Sequence, residues 1–485
     1  MKIFLLPIIG LASFILSIYN PITFNATKPI TICNSIAIAN LPVATNFLPN
    51  NMVATLVRKN IYNFTPAEIT TLKTGIAAMK LLPKTDPTSW TYQAAIHGTT
   101  LADNLASWNS CQHGTQFFLS WHRMYLYYFE RILRSKSGNP NFALPYWNYQ
   151  INAAIHPDYR NSAASNTLYD ATRNASMNSG GSLSAGIMTN INTALTKIPF
   201  ATFNTSLEGP HGAVHGAIGG NMGAVNKAAK DPVFWLHHTN IDRLWEEWLR
   251  KCGGRVNPTT GPWTTQVFTF FDETGAAKNM TGAQIVSTAS QLGYRYDFPP
   301  KLPCNFVLVD LSKWRWTVIP PFRIVDKLRL NLEKSDAVFN RIDENLWEKN
   351  VRDNKIEKFN FSNTDISDQV WIEMDHLQID KNPEGTIEVY LNLPKNEVPS
   401  ERSKSFVGVL DLFTASAHRG HNTGNKNRID ATEAIKNLGL DMTKLKKSKI
   451  TFYQRGNNVK GRAIKTAGDV NIEGLSFVVH KARKS

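Results

Sequence analysis

The stretch Glu208-Gly-Pro-His211-Gly-Ala-Val-His215, followed by Asp231-Pro-Val-Phe-Trp-Leu-His237-His238-Thr-Asn-Ile-Asp242-Arg243, decides how the rest of the chain is read. His211 and His215 are four residues apart, so on a helix their rings share one face. Neutral imidazole is the commonest protein metal ligand and suits copper, zinc and iron. A pair at this spacing needs a further ligand, and the His237-His238 doublet is the obvious donor. Asp231 as a cap and Pro232 in the first turn start a helix whose bulky apolar groups are Trp235, Leu244, Trp245 and Trp248. Successive helical side chains diverge by about 100°, so one histidine of the doublet binds and the other supports it.

A second histidine set lies upstream. Trp90-Thr-Tyr-Gln-Ala-Ala-Ile-His97 is followed by Cys111-Gln-His113-Gly-Thr-Gln-Phe-Phe-Leu-Ser-Trp121-His122-Arg123, with His122 on an aromatic-rich helix and His113 in the segment leading into it. Seven of the twelve histidines fall in these stretches. Two sets of three, with one spare, embedded among Trp, Tyr and Phe describe a buried, mostly helical pocket for two metal ions. His156, His376, His418, His421 and His480 read as ordinary core or surface residues.

These segments closely resemble the tyrosinase, catechol oxidase and molluscan-haemocyanin family of type 3 binuclear copper proteins, over roughly residues 50–300. The resemblance implies a mainly α fold with a four-helix-bundle core. One copper is held by His97, His113 and His122, the other by His211, His215 and His238, and His237 supports from outside the ligand set. The donor chemistry agrees: three neutral imidazoles per ion, without carboxylate or thiolate, suit copper cycling between Cu(I) and Cu(II) and leave a coordination position open. Zinc is the rival metal at such a nitrogen site.

Other positions carry over one by one. Cys111 stands two before His113, the spacing at which some family members form a cysteine–histidine thioether. Phe234 resembles the phenylalanine packed on copper-ligating rings. Glu208 resembles the acid that holds a water near the second copper; the alternative is a first-turn glutamate favoured by the helix dipole. Gly212 stands where many efficient monophenol hydroxylases have Asn, and Gly216 likewise offers no steering side chain, which favours o-diphenol oxidation. Val225 stands where plant enzymes often carry a phenylalanine over the second copper, and so leaves the entrance open. Asp242 and Arg243 read as a structural ion pair. Tyr294-Arg-Tyr296 resembles the family's closing motif, which packs on an arginine, here Arg58, through a cation–π contact.

The 485 residues are 42% hydrophobic and 19% charged, enough for two domains. Of the net charge of +15, most lies in residues 401–485, where seventeen Lys and Arg face seven Asp and Glu. No nucleic-acid motif accompanies this basic stretch, which reads as a solvated face. Lys2 and the apolar run that follows, with no acid before Glu68, read as an export leader within residues 1–39. Ala37-Ile-Ala39 is one cleavage candidate and Ala26 another, and membrane attachment follows only if the leader stays uncleaved. Four cysteines exclude a disulfide scaffold and allow a single Cys252–Cys304 bridge.

Thr65-Pro-Ala-Glu68 is a capping box opening a helix. Residues 152–196, rich in small and polar types, read as a surface excursion. The copper domain spans 40–300, with a linker over 301–364. From 365 to 485, short β-branched and aromatic runs between Pro, Gly and Asn describe a C-terminal β-sandwich. It resembles, more weakly, the domain that covers the copper site of plant polyphenol oxidases. The expected activity is oxidation of o-diphenols to o-quinones with reduction of O₂ to water, latent until that domain is removed. The alternatives are a monophenol-hydroxylating tyrosinase, an o-aminophenol oxidase or a haemocyanin-like O₂ carrier. The partners implied are small phenols and O₂, and the sequence sets no oligomeric state.

Overall fold

The computed structural model describes residues 45–46, 56–299, 314–318, 321–325, 328–331, 336–339, 359, 361, 368–379, 385–413, 426–456 and 469–484. The leader, residues 1–39, and Cys304 lie outside them. Among the described residues no helix is long and apolar enough to cross a membrane. Cys252 is disulfide-bonded.

The first half is helical. α1 (Pro66–Lys80) opens on the expected capping box, with Thr65 and Glu68 satisfying each other's backbone N–H groups. α2 (Trp90–His97) starts on a Ser89 cap, and α3 (Phe118–Ser137) ends on left-handed Gly138. Short α4 (Pro157–Arg160) and α5 (Ala175–Asn178) precede α6 (Ala185–Thr196), α7 (Phe200–Ile218), α8 (Val233–Arg250) and α9 (Pro262–Thr265). α2, α3, α7 and α8 form the bundle around the histidines, packed by one aromatic core that includes Trp121, Trp147, Trp235, Trp245 and Trp248.

Small strands tie the ends of this unit. β1 (Thr45–Asn46) pairs with β4 (Ala277–Met280), which pairs with β3 (Phe268–Phe271). β2 (Leu56–Arg58) runs parallel to β5 (Tyr294–Tyr296), bringing Arg58 opposite Tyr296. The Arg58 guanidinium lies 3.6 Å from the Tyr294 ring centroid. Asp242 does not pair with Arg243, its neighbour on α8. It accepts from Arg58, Arg123, Tyr294 and Tyr296, while Arg243 reaches Glu247 and the rings of Tyr146 and Phe298. Adjacent helical side chains point apart, so that expectation fails on geometry.

The stretch expected as a linker, 301–364, supplies four strands: β6 (Trp314–Val318), β7 (Phe322–Val325), β8 (Leu328–Asn331) and β9 (Asp336–Phe339). They join β10 (Gln369–Asp375), β11 (Gln378–Ile379), β12 (Thr386–Leu391), β13 (Phe406–Val409), β14 (Lys426–Asp430), β15 (Ile450–Arg455), β16 (Asp469–Ile472) and β17 (Gly474–Lys484). One sheet runs β14-β10-β17-β6 with β7 also on β17, another β13-β12-β15-β9, and a small third β11-β16-β8. The first two close on a shared core: Val370, Ile372 and Met374, with Leu475, Phe477 and Val479, meet Ile387, Val389, Leu391, Ile450 and Phe452. This is the expected sandwich, and the strands of 314–339 belong to it.

Residues 152–196 are not a surface excursion. Tyr159, Leu168, Met177, Ile187 and Ile191 are buried, and Arg173 makes a fully buried bidentate pair with Asp231. α6 is the dock for the C-terminal unit. The side chain of Asn190 accepts from the Val409 N–H at 2.8 Å and so caps the edge strand β13. Fully buried Glu388 accepts from Ser184 Oγ at 2.9 Å, Arg455 Nε at 2.6 Å and the Tyr390 hydroxyl at 2.6 Å. Lys197 pairs with Asp430. All six residues of β12 are buried because one face meets the sandwich core and the other meets the helical unit, where Glu388 reaches the start of α6 and Tyr390 joins the aromatic core.

Candidate metal centre

Each histidine is delivered by a definite element. His97 ends α2, His113 lies in the loop before α3, His122 sits on the first turns of α3, His211 and His215 on α7, and His237 and His238 on α8. In the first set, ring centroids are 5.2 Å apart for His97–His113, 5.1 Å for His113–His122 and 5.7 Å for His97–His122. In the second, they are 4.7 Å for His211–His215, 4.9 Å for His211–His238 and 5.3 Å for His215–His238. His122 and His238 stack across the two sets at 4.4 Å and 12°.

The tautomers are set from behind. Nδ1 of His97 donates to the Val225 carbonyl at 2.9 Å, that of His122 to Phe118 at 2.7 Å, and that of His215 to Met222 at 2.9 Å. A proton on Nδ1 leaves the Nε2 lone pair bare. Nε2 of His97, His113 and His122 is buried with no hydrogen-bond partner. In the second set, Nε2 of His238 lies 3.4 Å from that of His211 and 3.2 Å from that of His215. Lone pairs converging this closely are what a cation relieves, and all-nitrogen donors suit copper. Burial holds every one of these rings neutral, the state in which imidazole ligates: His97 is lowered to about 4, His237 to about 3, and the others well below the usual value.

His237 is in the same cluster, with both ring nitrogens buried. It stacks on His211 at 5.1 Å and 15°. Phe234 packs on His238 at 4.2 Å and His97 at 4.8 Å. Cys111 lies with His97 and His113 in one group whose donor atoms are all within 4.8 Å. Glu208 accepts from the Gly114 N–H at 2.6 Å, anchoring the loop that carries His113; Gly114 has a φ of 68°, where glycine is favoured. Burial pushes the Glu208 carboxyl up to about 8, with a further contribution from the nearby Asp411 charge. Glu208 lies at mid-helix in α7, so the first-turn dipole alternative falls. Val225 acts through its carbonyl on His97.

Two residues escaped the sequence reading. Phe118 packs on His211 at 4.8 Å and His122 at 5.1 Å, holding the two sets together from below. Phe413, from the C-terminal unit, stacks on His215 at 3.8 Å and 8°, and stands edge-on to His113 at 5.5 Å and His211 at 5.8 Å. The signal available was an aromatic just past a strand end, two residues after an aspartate able to start a turn.

Residues 87–198 and 158–251 match the family model described as the common central domain of tyrosinase, and 329–478 match a domain of unknown function, DUF7868. A tyrosinase of Hahella sp. (strain CCB-MM4) is 34% identical over 49% of this chain and 62% of its own length. A chloroplastic polyphenol oxidase A1 of Vicia faba is 30% identical over 47% of this chain and 45% of its own. The chain thus spans less than two thirds of these curated relatives. Among solved structures, a latent aurone synthase (polyphenol oxidase) matches with a TM-score of 0.62 at 20% identity, covering 91% of this chain and 92% of that one. A latent apple tyrosinase matches at 0.59 and 19%, covering 90% and 99%. At such identities these two show the shared fold, sandwich included. Residues 87–251 thus carry a match to the tyrosinase central domain, and the histidine cluster they hold fits the binuclear type 3 copper site of that family.

Proposed function

We propose that this chain oxidises o-diphenols to o-quinones with reduction of O₂ to water, and that its C-terminal unit keeps the site latent. Two catechols give up four electrons and four protons to each O₂. The carrying observation is the convergence of two histidine triads beneath Phe413. His97, His113 and His122 hold one copper and His211, His215 and His238 the other, and the metal pair supplies the redox chemistry when bound. The carbonyls of Val225, Phe118 and Met222 fix the ligand tautomers, and His237 braces His211 by stacking. A thioether between Cys111 and His113 stiffens the one ligand carried by a loop; a two-proton mass deficit in the peptide spanning 111–113 checks it.

Phe413 occupies the face of His215 on which a phenol ring would stack. While it is docked, burial, with the Asp411 charge beside it, pushes the Glu208 carboxyl of the metal-free protein up to about 8. Withdrawal of the segment hydrates that carboxyl and frees it to take a phenol proton. Gly212 and Gly216 offer no side chain to orient a water with Glu208, which favours diphenols over monophenols. Val225 places no ring over the entrance, and the N-terminal leader directs export.

The test is O₂ uptake by the copper-loaded full chain with 4-methylcatechol and then tyramine, for the native protein and Phe413→Ala. Uptake with catechol that rises about tenfold or more in the variant supports a latent catechol oxidase, since opening a blocked site raises its competent fraction. Uptake with tyramine as well makes it a tyrosinase. Reversible O₂ binding without turnover in either protein makes it a carrier.

A further inference from the structure

Gly212 has a neighbour that no family reading supplies. A Cβ built on it would fall inside the contact shell of the Asp411 carboxylate, 2.6 Å from Oδ2 and nearer still to Oδ1 and Cγ. On the same helix, a Cβ at Gly216 would meet only Leu412 Cβ, at an ordinary 3.6 Å. The Asp411 carboxylate therefore occupies the volume a side chain at 212 would take. Its Oδ1 accepts from the Phe413 N–H at 2.9 Å, the turn that aims the Phe413 ring at His215. Upstream, Leu410 N–H donates to the Ile387 carbonyl at 2.9 Å and Val409 N–H to Asn190.

We infer that Gly212 and Asp411 form a docking pair: the missing side chain on α7 is the seat of the carboxylate that positions the Phe413 plug. This rests on the latent-site reading and deepens it. Gly212 is then a residue of autoinhibition, and its bearing on substrate choice follows only after the segment has left. Asp411 is a positioning residue acting through Phe413.

A steric pair of this kind is tested by a double-mutant cycle on the full chain: Gly212→Ala, Asp411→Ala and the double variant, with Gly216→Ala and Asp411→Asn as controls. The primary readout is backbone hydrogen exchange at residues 410–413 in copper-free protein. Gly212→Ala, which should not weaken α7 since alanine is the better helix former, speeds that exchange by about tenfold or more, as a tenfold shift towards the undocked segment requires. Gly216→Ala and Asp411→Asn, which keep the seat and the turn, leave it within about twofold of native, and Gly212→Ala adds less than about twofold in the Asp411→Ala background. Unchanged exchange in Gly212→Ala, or an equal effect in both backgrounds, overturns the inference. O₂ uptake per copper keeps the two readings apart. A Phe413→Ala protein no more active than native sinks latency, whereas fast exchange in Gly212→Ala still upholds the seat. Active Phe413→Ala with protected 410–413 in Gly212→Ala sinks the seat alone.

Discussion

Asp242 is the residue whose loss the copper domain should feel most. Burial alone would raise its carboxyl pKa, but Arg123 and Arg58 outweigh burial and hold it below the usual value. Both guanidinium groups are fully buried. Asp242→Asn would leave two buried cations short of their counter-charge, so we expect a loss of about 3–5 kcal/mol, read as a lower urea midpoint with little change in slope. At this scale much was legible. The seven histidines and Phe234 meet in the site because short motifs and helical spacing fix them locally, and Arg58 packs on Tyr294 as the closing motif implies. Arg173 and Asp231 are 58 residues apart, and nothing local marks their pairing. Asp411 and Phe413 meet α7 only through the fold of a second unit, so the local Asp-x-aromatic spacing marked a turn but not where its ring would land.

Among elements, α6 shows where composition misleads. Its Ala, Asn and Thr content looked solvated, yet small side chains are what let a β-sheet edge approach a helix closely: a Cβ on Gly186 would sit 3.1 Å from Glu388 Oε1 and 3.2 Å from the Phe406 ring. Strands β6–β9 were missed for a related reason, since charged, mixed text hides strands that complete a sheet built mostly from later residues. β12 was legible because Ile387, Val389 and Leu391 alternate, although both its faces are covered. Within β17, His480 is lowered to about 4, first by burial and then by Arg428. Unfolded, it titrates near 6.5, so between those values the unfolded state binds the extra proton. The stability it contributes is complete above pH ~6.5 and drains as pH falls towards ~4, by up to about 3 kcal/mol. His480→Gln should flatten the decline in thermal midpoint across that window relative to native protein.

For the whole molecule, the interface binds the two units through buried polar groups as well as apolar ones. Ser184, Asn190 and Lys197 on one side each have a specific partner on the other. Separation would strand Glu388 without one of its three donors and bare the face of α6 that Phe406 covers. The closed state is therefore held by more than the plug.

The packing of Phe413 on the histidines has a consequence for assembly. On the latent-site proposal, the ring that packs on His215, His113 and His211 would lie across the way in for a metal ion as well as for a phenol, which would make incorporation of copper a race against domain docking. The copper unit is synthesised first, and N-terminal units fold first as a chain emerges, which gives the ion its opening before the sandwich is complete. Copper added to the finished, metal-free protein should enter slowly, at the rate of segment opening and independent of copper concentration once that is high. In Phe413→Ala, stopped-flow loading should become fast and proportional to copper concentration. A plug of this kind would set the pace of maturation, since a chain that closes empty would then load only as fast as the segment opens.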